Sequence, residues 1–159
     1  MHGKPDLHER LEHADAQRIA GLAGHFDPST YLQIQEMWKR LGAQLGFPGQ
    51  LGEGETIGVF RGRMGSAFEH LAGVRIASDA VPPPSFQVWD LPQQDYLVFR
   101  QMLTREPLHV QVMAAQDEIG GKVAGAGYER LTAPDLQVYP ARFQLGNGGW
   151  LEHWIPVDD

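Results

Sequence analysis

Near the end of the chain, Trp150-Leu151-Glu152-His153-Trp154 sets a carboxylate between two indoles. Alternate side chains of an extended strand share a face, so Trp150, Glu152 and Trp154 point one way while Leu151, His153 and Ile155 point the other. The same alternation groups Gln137, Tyr139 and Phe143 on the preceding apolar stretch. Asn147-Gly148 between the two stretches is a hairpin signal, because both residues of such a turn must tolerate positive φ. Neighbouring strands would then present a wall of Trp, Tyr, Gln and Glu. Its natural guest is a flat aromatic cation. Ring faces attract a cation by about 0.5–2 kcal/mol per contact. A partly desolvated carboxylate adds roughly 4 kcal/mol of raw Coulomb attraction at about 4 Å, less desolvation. The same pattern also describes a strand face turned to solvent.

Other residues could join that wall. Trp38 lies on the apolar face of a helix, where it either packs in the core or lines a pocket. Trp89 alternates with its neighbours in a strand, Tyr96 opens another with a hydroxyl that could reach a cleft, and Phe60 sits in a third. Glu69 and Glu152 are the two carboxylates that could act as a general acid and base. The expected binding set is therefore Glu152, Gln137, Tyr139, Trp154, Trp38, Tyr96, Trp89, Phe60 and Glu69, with no residue assigned to catalysis. His8 and His13 stand near Glu9 and Glu12, but not at a zinc-helix spacing. Ser66 lacks the flanks of a nucleophile elbow. The glycine-rich stretch 120–127 follows a helix, not a strand, and reads as a helix terminus rather than a phosphate loop. No metal or cofactor is implied.

The elements that would position these residues form two similar runs. A strand over 17–26 is followed by a helix entry at Asp27-Pro28-Ser29, and Tyr31, Ile34, Trp38, Leu41 and Leu45 mark one apolar face of that helix. Strands follow over 57–61 and 68–78, with Pro82-Pro83-Pro84 as a joint. The second run has a lead-in strand over 86–91, strands over 95–103, 136–143 and 150–157, and a helix over 106–123. Glu69-His70-Leu71-Ala72-Gly73-Val74 aligns without a gap on Glu152-His153-Trp154-Ile155-Pro156-Val157, at the last strand of each run. The reading is an α+β domain over 15–159, made of duplicated βαββ halves at about 15–80 and 85–158. Pseudo-two-fold symmetry, an antiparallel sheet, two main helices and a central cleft at the join complete it. Residues 1–14 read as a frayed extension or short surface helix.

Composition narrows the function classes. A hydrophobic share of 42% in 159 residues supports a core, and no run approaches the roughly 20 apolar residues of a membrane span. The absence of cysteine removes disulfides and thiolate chemistry and fits a cytoplasmic protein. A net charge of −7 with scattered basic residues argues against direct nucleic-acid binding.

The chain resembles the GyrI-like, or bacterial effector-binding, domains that occur in AraC-type and MerR-type multidrug regulators and as stand-alone proteins. The likeness is carried by Gln17-Arg18-Ile19-Ala20-Gly21-Leu22, Asp27-Pro28-Ser29-Thr30-Tyr31 with Trp38, Ile57-Gly58-Val59-Phe60 and Leu71-Ala72-Gly73-Val74. It continues through Leu91-Pro92-Gln93-Gln94-Asp95-Tyr96-Leu97-Val98-Phe99, Leu136-Gln137-Val138-Tyr139-Pro140 and Leu151-Glu152-His153-Trp154-Ile155-Pro156-Val157. The resemblance implies a cleft for cationic or amphipathic drugs, with acidic residues of the closing strands meeting the ligand's charge. Glu152 matches one such position. Gln137 stands where the family often has a glutamate, which implies a weaker preference for cations. The second helix lacks the usual aromatic at Ala114-Ala115-Gln116-Asp117. No DNA-binding head precedes the likeness, which suggests a stand-alone binder of small aromatic or cationic ligands. Two alternatives also follow from the resemblance: a hydrolase that opens strained cyclopropane rings with Glu152 as its pocket carboxylate, and a protein-interaction role such as inhibition of DNA gyrase.

Overall fold

A computed structural model describes residues 4–158. In chain order the elements are β1 (Asp6–Ala14), β2 (Gln17–Phe26), α1 (Gln33–Gly42), β3 (Thr56–Met64), β4 (Ala67–Arg75), β5 (Gln87–Leu91), β6 (Gln94–Met102), α2 (Leu108–Gly125), β7 (Glu129–Arg130), β8 (Asp135–Tyr139) and β9 (Trp150–Asp158). The strands form one nine-stranded sheet in the order β1-β6-β9-β8-β3-β4-β2-β5, with β7 on β9. Every pairing is antiparallel.

That order reads the same from either end. The first half contributes β2, β4 and β3, the second contributes β6, β9 and β8, and the halves meet at the β3–β8 ladder. The repeated Glu-His segments occupy equivalent places in β4 and β9. The lead-in strands are exchanged: β1 precedes β2 in the chain but pairs with β6, and β5 precedes β6 but pairs with β2.

This exchange forces the sheet to roll. In strand order β1 and β2 are six spacings apart, roughly 29 Å in a flat sheet at about 4.8 Å per spacing. Two connecting residues span only about 11 Å between strand ends. The link between β5 and β6 imposes the same constraint on the other side. The concave face closes on Ile19, Val59, Leu71, Trp89, Leu91, Tyr96, Val98, Leu136 and their neighbours. The helices cover the convex face at its two ends. Met37 and Leu41 of α1 pack on Leu22, Phe26 and Ala72. Ala115, Ile119 and Val123 of α2 pack on Leu97, Phe99, Ile155 and Val157.

Several expectations need correction. Of residues 1–14, 6–14 form a full strand; 1–3 lie outside the described residues. The pairing of Leu7 and Leu11 with the α2 core supplies the apolar face that a helical reading does not find. Helix α1 starts at Gln33 rather than at the Asp27-Pro28-Ser29 signal. The Asp27 carboxylate instead accepts hydrogen bonds from the Ser29 amide and hydroxyl and closes a turn ahead of the helix. The strand expected over 136–143 stops at Tyr139, before a proline that has no N–H to donate. Asn147 and Gly148 do have positive φ, 51° and 80°, but they sit in a loop over 140–149 rather than in a two-residue hairpin.

That longer loop changes the register. Leu136 faces Trp154, Gln137 faces His153 and Val138 faces Glu152. A slip of one residue moves every side chain to the other face. Gln137 and Tyr139 therefore lie on the helix-covered face with His153, while Glu152 and Trp154 lie on the concave face. The single wall of Trp, Tyr, Gln and Glu is divided between the two.

Candidate functional site

Between α1 and α2 the central strands β3 and β8 carry no helix, and a cavity of about 350 Å³ opens there. Gln35 and Trp38 of α1, Thr56 of β3, Leu108 at the start of α2, Tyr139 at the end of β8 and Phe143 line it. Thr56 and Tyr139 are register partners, and the next pair inward on the same face is Gly58 with Gln137. Trp38 meets Tyr139 edge to face at 5.4 Å between ring centroids, and Tyr139 meets Phe143 at 5.2 Å. The Tyr139 hydroxyl donates to Gln137 Oε1 at 2.9 Å. Burial pushes that phenol up to about 12, so it remains a neutral donor.

Beside the cavity, Gly58 lets rings pack close against β3. A Cβ added there would lie 2.9 Å from His70 Cε1 and 3.5 Å from Trp38 Cζ2. His70 stacks on Phe60 at 4.3 Å and donates from Nδ1 to the Val59 carbonyl at 3.1 Å. A glycine inside a strand signals close approach of other groups, a cue that the sequence reading above did not draw on. Gln35, Thr56 and Leu108, in contrast, carry no pattern that distinguishes them from other surface positions.

On the pseudo-symmetric side, His153 Nε2 donates to Gln101 Oε1 at 2.8 Å, and Gln116 Nε2 donates to His153 Nδ1 at 3.1 Å. Gln101 in turn donates to the Gln111 carbonyl at 2.9 Å, which ties α2 to the sheet. Burial lowers both His70 and His153 from 6.5 to about 4. The unfolded chain therefore binds more protons than the folded one between about pH 6.5 and pH 4, and stability falls as pH falls through that window. The expected loss is about 1 kcal/mol per pH unit for each histidine. The Glu152 carboxyl is held below its usual 4.5, so its own loss begins lower. Urea unfolding at pH 6.5 and 4.5 checks this: equal midpoints at the two values would refute it.

The concave face holds the rest of the expected set. Glu152 is only 3% exposed and accepts from Arg10 Nη1 at 2.7 Å, Arg10 Nη2 at 3.1 Å, Arg100 Nε at 3.0 Å and Trp154 Nε1 at 3.1 Å. Burial alone would raise its carboxyl, but the hydrogen bonds from Arg10, Arg100 and Trp154 bring it below the ordinary value. The carboxylate expected to meet a guest's charge is thus bridged by two arginines, one of them Arg10, delivered by strand β1, which in sequence reads as a frayed extension or short surface helix. Arg100 also covers the Trp150 ring at 3.8 Å. Tyr96 packs on Trp154 at 5.4 Å, and Trp89 lies beneath Arg61 at 3.5 Å. Glu69 is paired with Arg61 at 3.1 Å. Glu69 and Glu152 are each engaged by their own arginines, Arg61 for the first and Arg10 and Arg100 for the second, instead of pairing with one another as an acid and base. Trp38, Tyr139, Gln137 and Phe60 are the expected residues that gather on the cavity side. No carboxylate is among the six lining residues, and among the described residues no group of three or more metal-ligating side chains occurs. No helix there is long and apolar enough to cross a membrane.

Two βαββ-type halves joined at their central strands, with a helix on either side of an aromatic cavity, define the architecture of an effector-binding domain. The chain belongs to the integron-associated effector-binding protein family, Cass2, whose pattern matches residues 10–157. Solved structures share the fold. A putative bacterial transcription regulation protein from Staphylococcus aureus MU50 superposes with a TM-score of 0.70 at 18% identity, over 96% of this chain and 99% of that one. SAV2435 bound to tetraphenylphosphonium gives 0.73 at 17% identity, over 95% and 94%. The integron cassette protein VCH_CASS2 from the mobile metagenome of Vibrio cholerae gives 0.67 at 13% identity, over 96% and 99%. At these identities the likeness concerns the fold. Among curated proteins, none matches significantly.

Proposed function

We propose that this protein captures aromatic small molecules, cationic and amphipathic ones included, in the cavity between α1 and α2. The observation that carries the reading is the Trp38–Tyr139–Phe143 cluster around an accessible hollow without a charged lining. Clefts of this kind, mostly apolar with a few placed polar groups, are where small ligands bind. Family membership supports a small-molecule effector, and the fold-sharing SAV2435 holds a bulky aromatic cation. Here a cation would be attracted by ring faces rather than by a carboxylate, which favours broad specificity over tight selection for charge. The ring-opening hydrolase draws no support from the cavity, since its carboxylate, Glu152, stands on the other sheet face with three donors.

Titration with tetraphenylphosphonium and with acridine orange, read by tryptophan fluorescence, tests the proposal. Both are expected to quench the wild type, and Trp38→Ala is expected to weaken acridine orange at least about tenfold through lost stacking. Unchanged fluorescence with both probes would overturn the proposal.

A further inference from the structure

We infer that the cavity between α1 and α2 favours flat aromatics that carry a carbonyl at the rim, and that the hydroxyl of Thr56 donates the hydrogen bond that reads it. This inference rests on the aromatic-binding reading above and names the guest's polar feature and the residue that meets it.

The wall of the cavity recognises polar groups by hydrogen bonds and not by charge. Among its six lining residues only Tyr139 is ionisable, and burial pushes that phenol up to about 12. The polar side chains of the wall differ in what they have left to offer. The Tyr139 proton is committed to Gln137 Oε1 at 2.9 Å. Gln35 stands exposed on α1. Thr56 is half-buried, and no group among the described residues hydrogen-bonds to its hydroxyl. The side-chain polar atoms there that are both buried and unpartnered are Gln17 Nε2 and His70 Nε2. The Thr56 oxygen is not one of them, so it keeps accessible surface, on a residue that lines the cavity. Thr30 and Thr104, in contrast, spend their hydroxyls on turns: Thr30 Oγ1 accepts from the Asp27 amide at 2.9 Å and Thr104 Oγ1 from the Glu106 amide at 3.3 Å.

Register puts Thr56 where a guest meets it. Thr56 of β3 is the cross-strand partner of Tyr139 of β8. Such partners share a face of the sheet, with Cβ atoms about 5 Å apart. Trp38 closes on the Tyr139 ring from α1 at 5.4 Å between centroids. A flat guest held against these two rings presents its rim to the Thr56 hydroxyl. The indole N–H of Trp38, also without a partner among the described residues, can only donate, and the hydroxyl can donate as well. The free polar groups of the wall therefore suit a guest that accepts, and a ring carbonyl accepts without bringing a charge into an uncharged wall.

Equilibrium dialysis of wild type, Thr56→Val and Thr56→Ser against 9-fluorenone and fluorene tests this. The two guests share a ring frame, and only fluorenone bears a carbonyl. Valine keeps the β-branched shape that suits a strand and removes the hydroxyl. Thr56→Val is expected to lower the ratio of fluorenone to fluorene affinity about fivefold, the net worth of one hydrogen bond. Thr56→Ser, which restores the hydroxyl, is expected to restore the ratio. The carbonyl stretch of bound fluorenone, read by infrared difference spectra, is expected at lower frequency in wild type than in Thr56→Val. An unaltered affinity ratio in Thr56→Val, or the same carbonyl frequency in both proteins, would overturn the role of Thr56 and leave the aromatic cavity standing. Binding of neither guest, nor of tetraphenylphosphonium, to wild type would remove the underlying reading as well.

Discussion

Gly58→Leu is expected to lower affinity for acridine orange by at least about a hundredfold while the chain still folds. Glycine at this point of β3 lets His70, Phe60 and Trp38 close over the strand, and an added Cβ would lie 2.9 Å from His70 Cε1. A leucine there collides with His70, Phe60 and Trp38 and displaces the Trp38 ring from the Tyr139 edge. The loss of both stacking partners is worth a few kcal/mol, which sets the hundredfold scale. Overpacking costs about 1–3 kcal/mol of stability, so the variant is measured alongside a denaturant curve. Unchanged dye binding by a folded Gly58→Leu protein would place the site elsewhere.

The second large effect is one of stability, with binding preserved. Glu152→Gln leaves Arg10 and Arg100 facing each other without the anion that joins them. Removing one member of a fully buried pair costs about 3–5 kcal/mol. Here the two guanidinium groups are 39% and 40% exposed and partly rehydrate, which reduces the expected loss to about 2–3 kcal/mol. Urea unfolding measures it. The folded variant is expected to bind tetraphenylphosphonium as the wild type does, because Glu152 projects away from the cavity. This reverses the outcome anticipated from the carboxylate's place between two indoles.

That reversal shows where residue patterns were informative. The repeated Glu-His segment, the helix-face spacing around Trp38 and the strand alternation all reported local structure, and local structure is what the duplicated fold is built from. Trp38, Tyr139, Gln137 and Phe60 could be singled out for that reason. The face of each strand could not. It depends on register across a loop of ten residues, and alternation is blind to a slip of one. The environment of Glu152 depends on β1, whose charged sequence hides a strand until β6 offers it a ladder, with Leu7 and Leu11 meeting α2. Sequence alone does not tell His70 from His153, which occupy equivalent places in the repeat; their different hydrogen-bond partners appear only in the fold.

An iodinated flat aromatic soaked into crystals of the protein would locate the site without any variant. Anomalous scattering between α1 and α2, against Trp38 and Tyr139, is the expected finding. A peak on the concave face, beside Trp150, Trp154 and the arginine-bridged Glu152, would show that the cavity between the helices is not where this protein takes its guest.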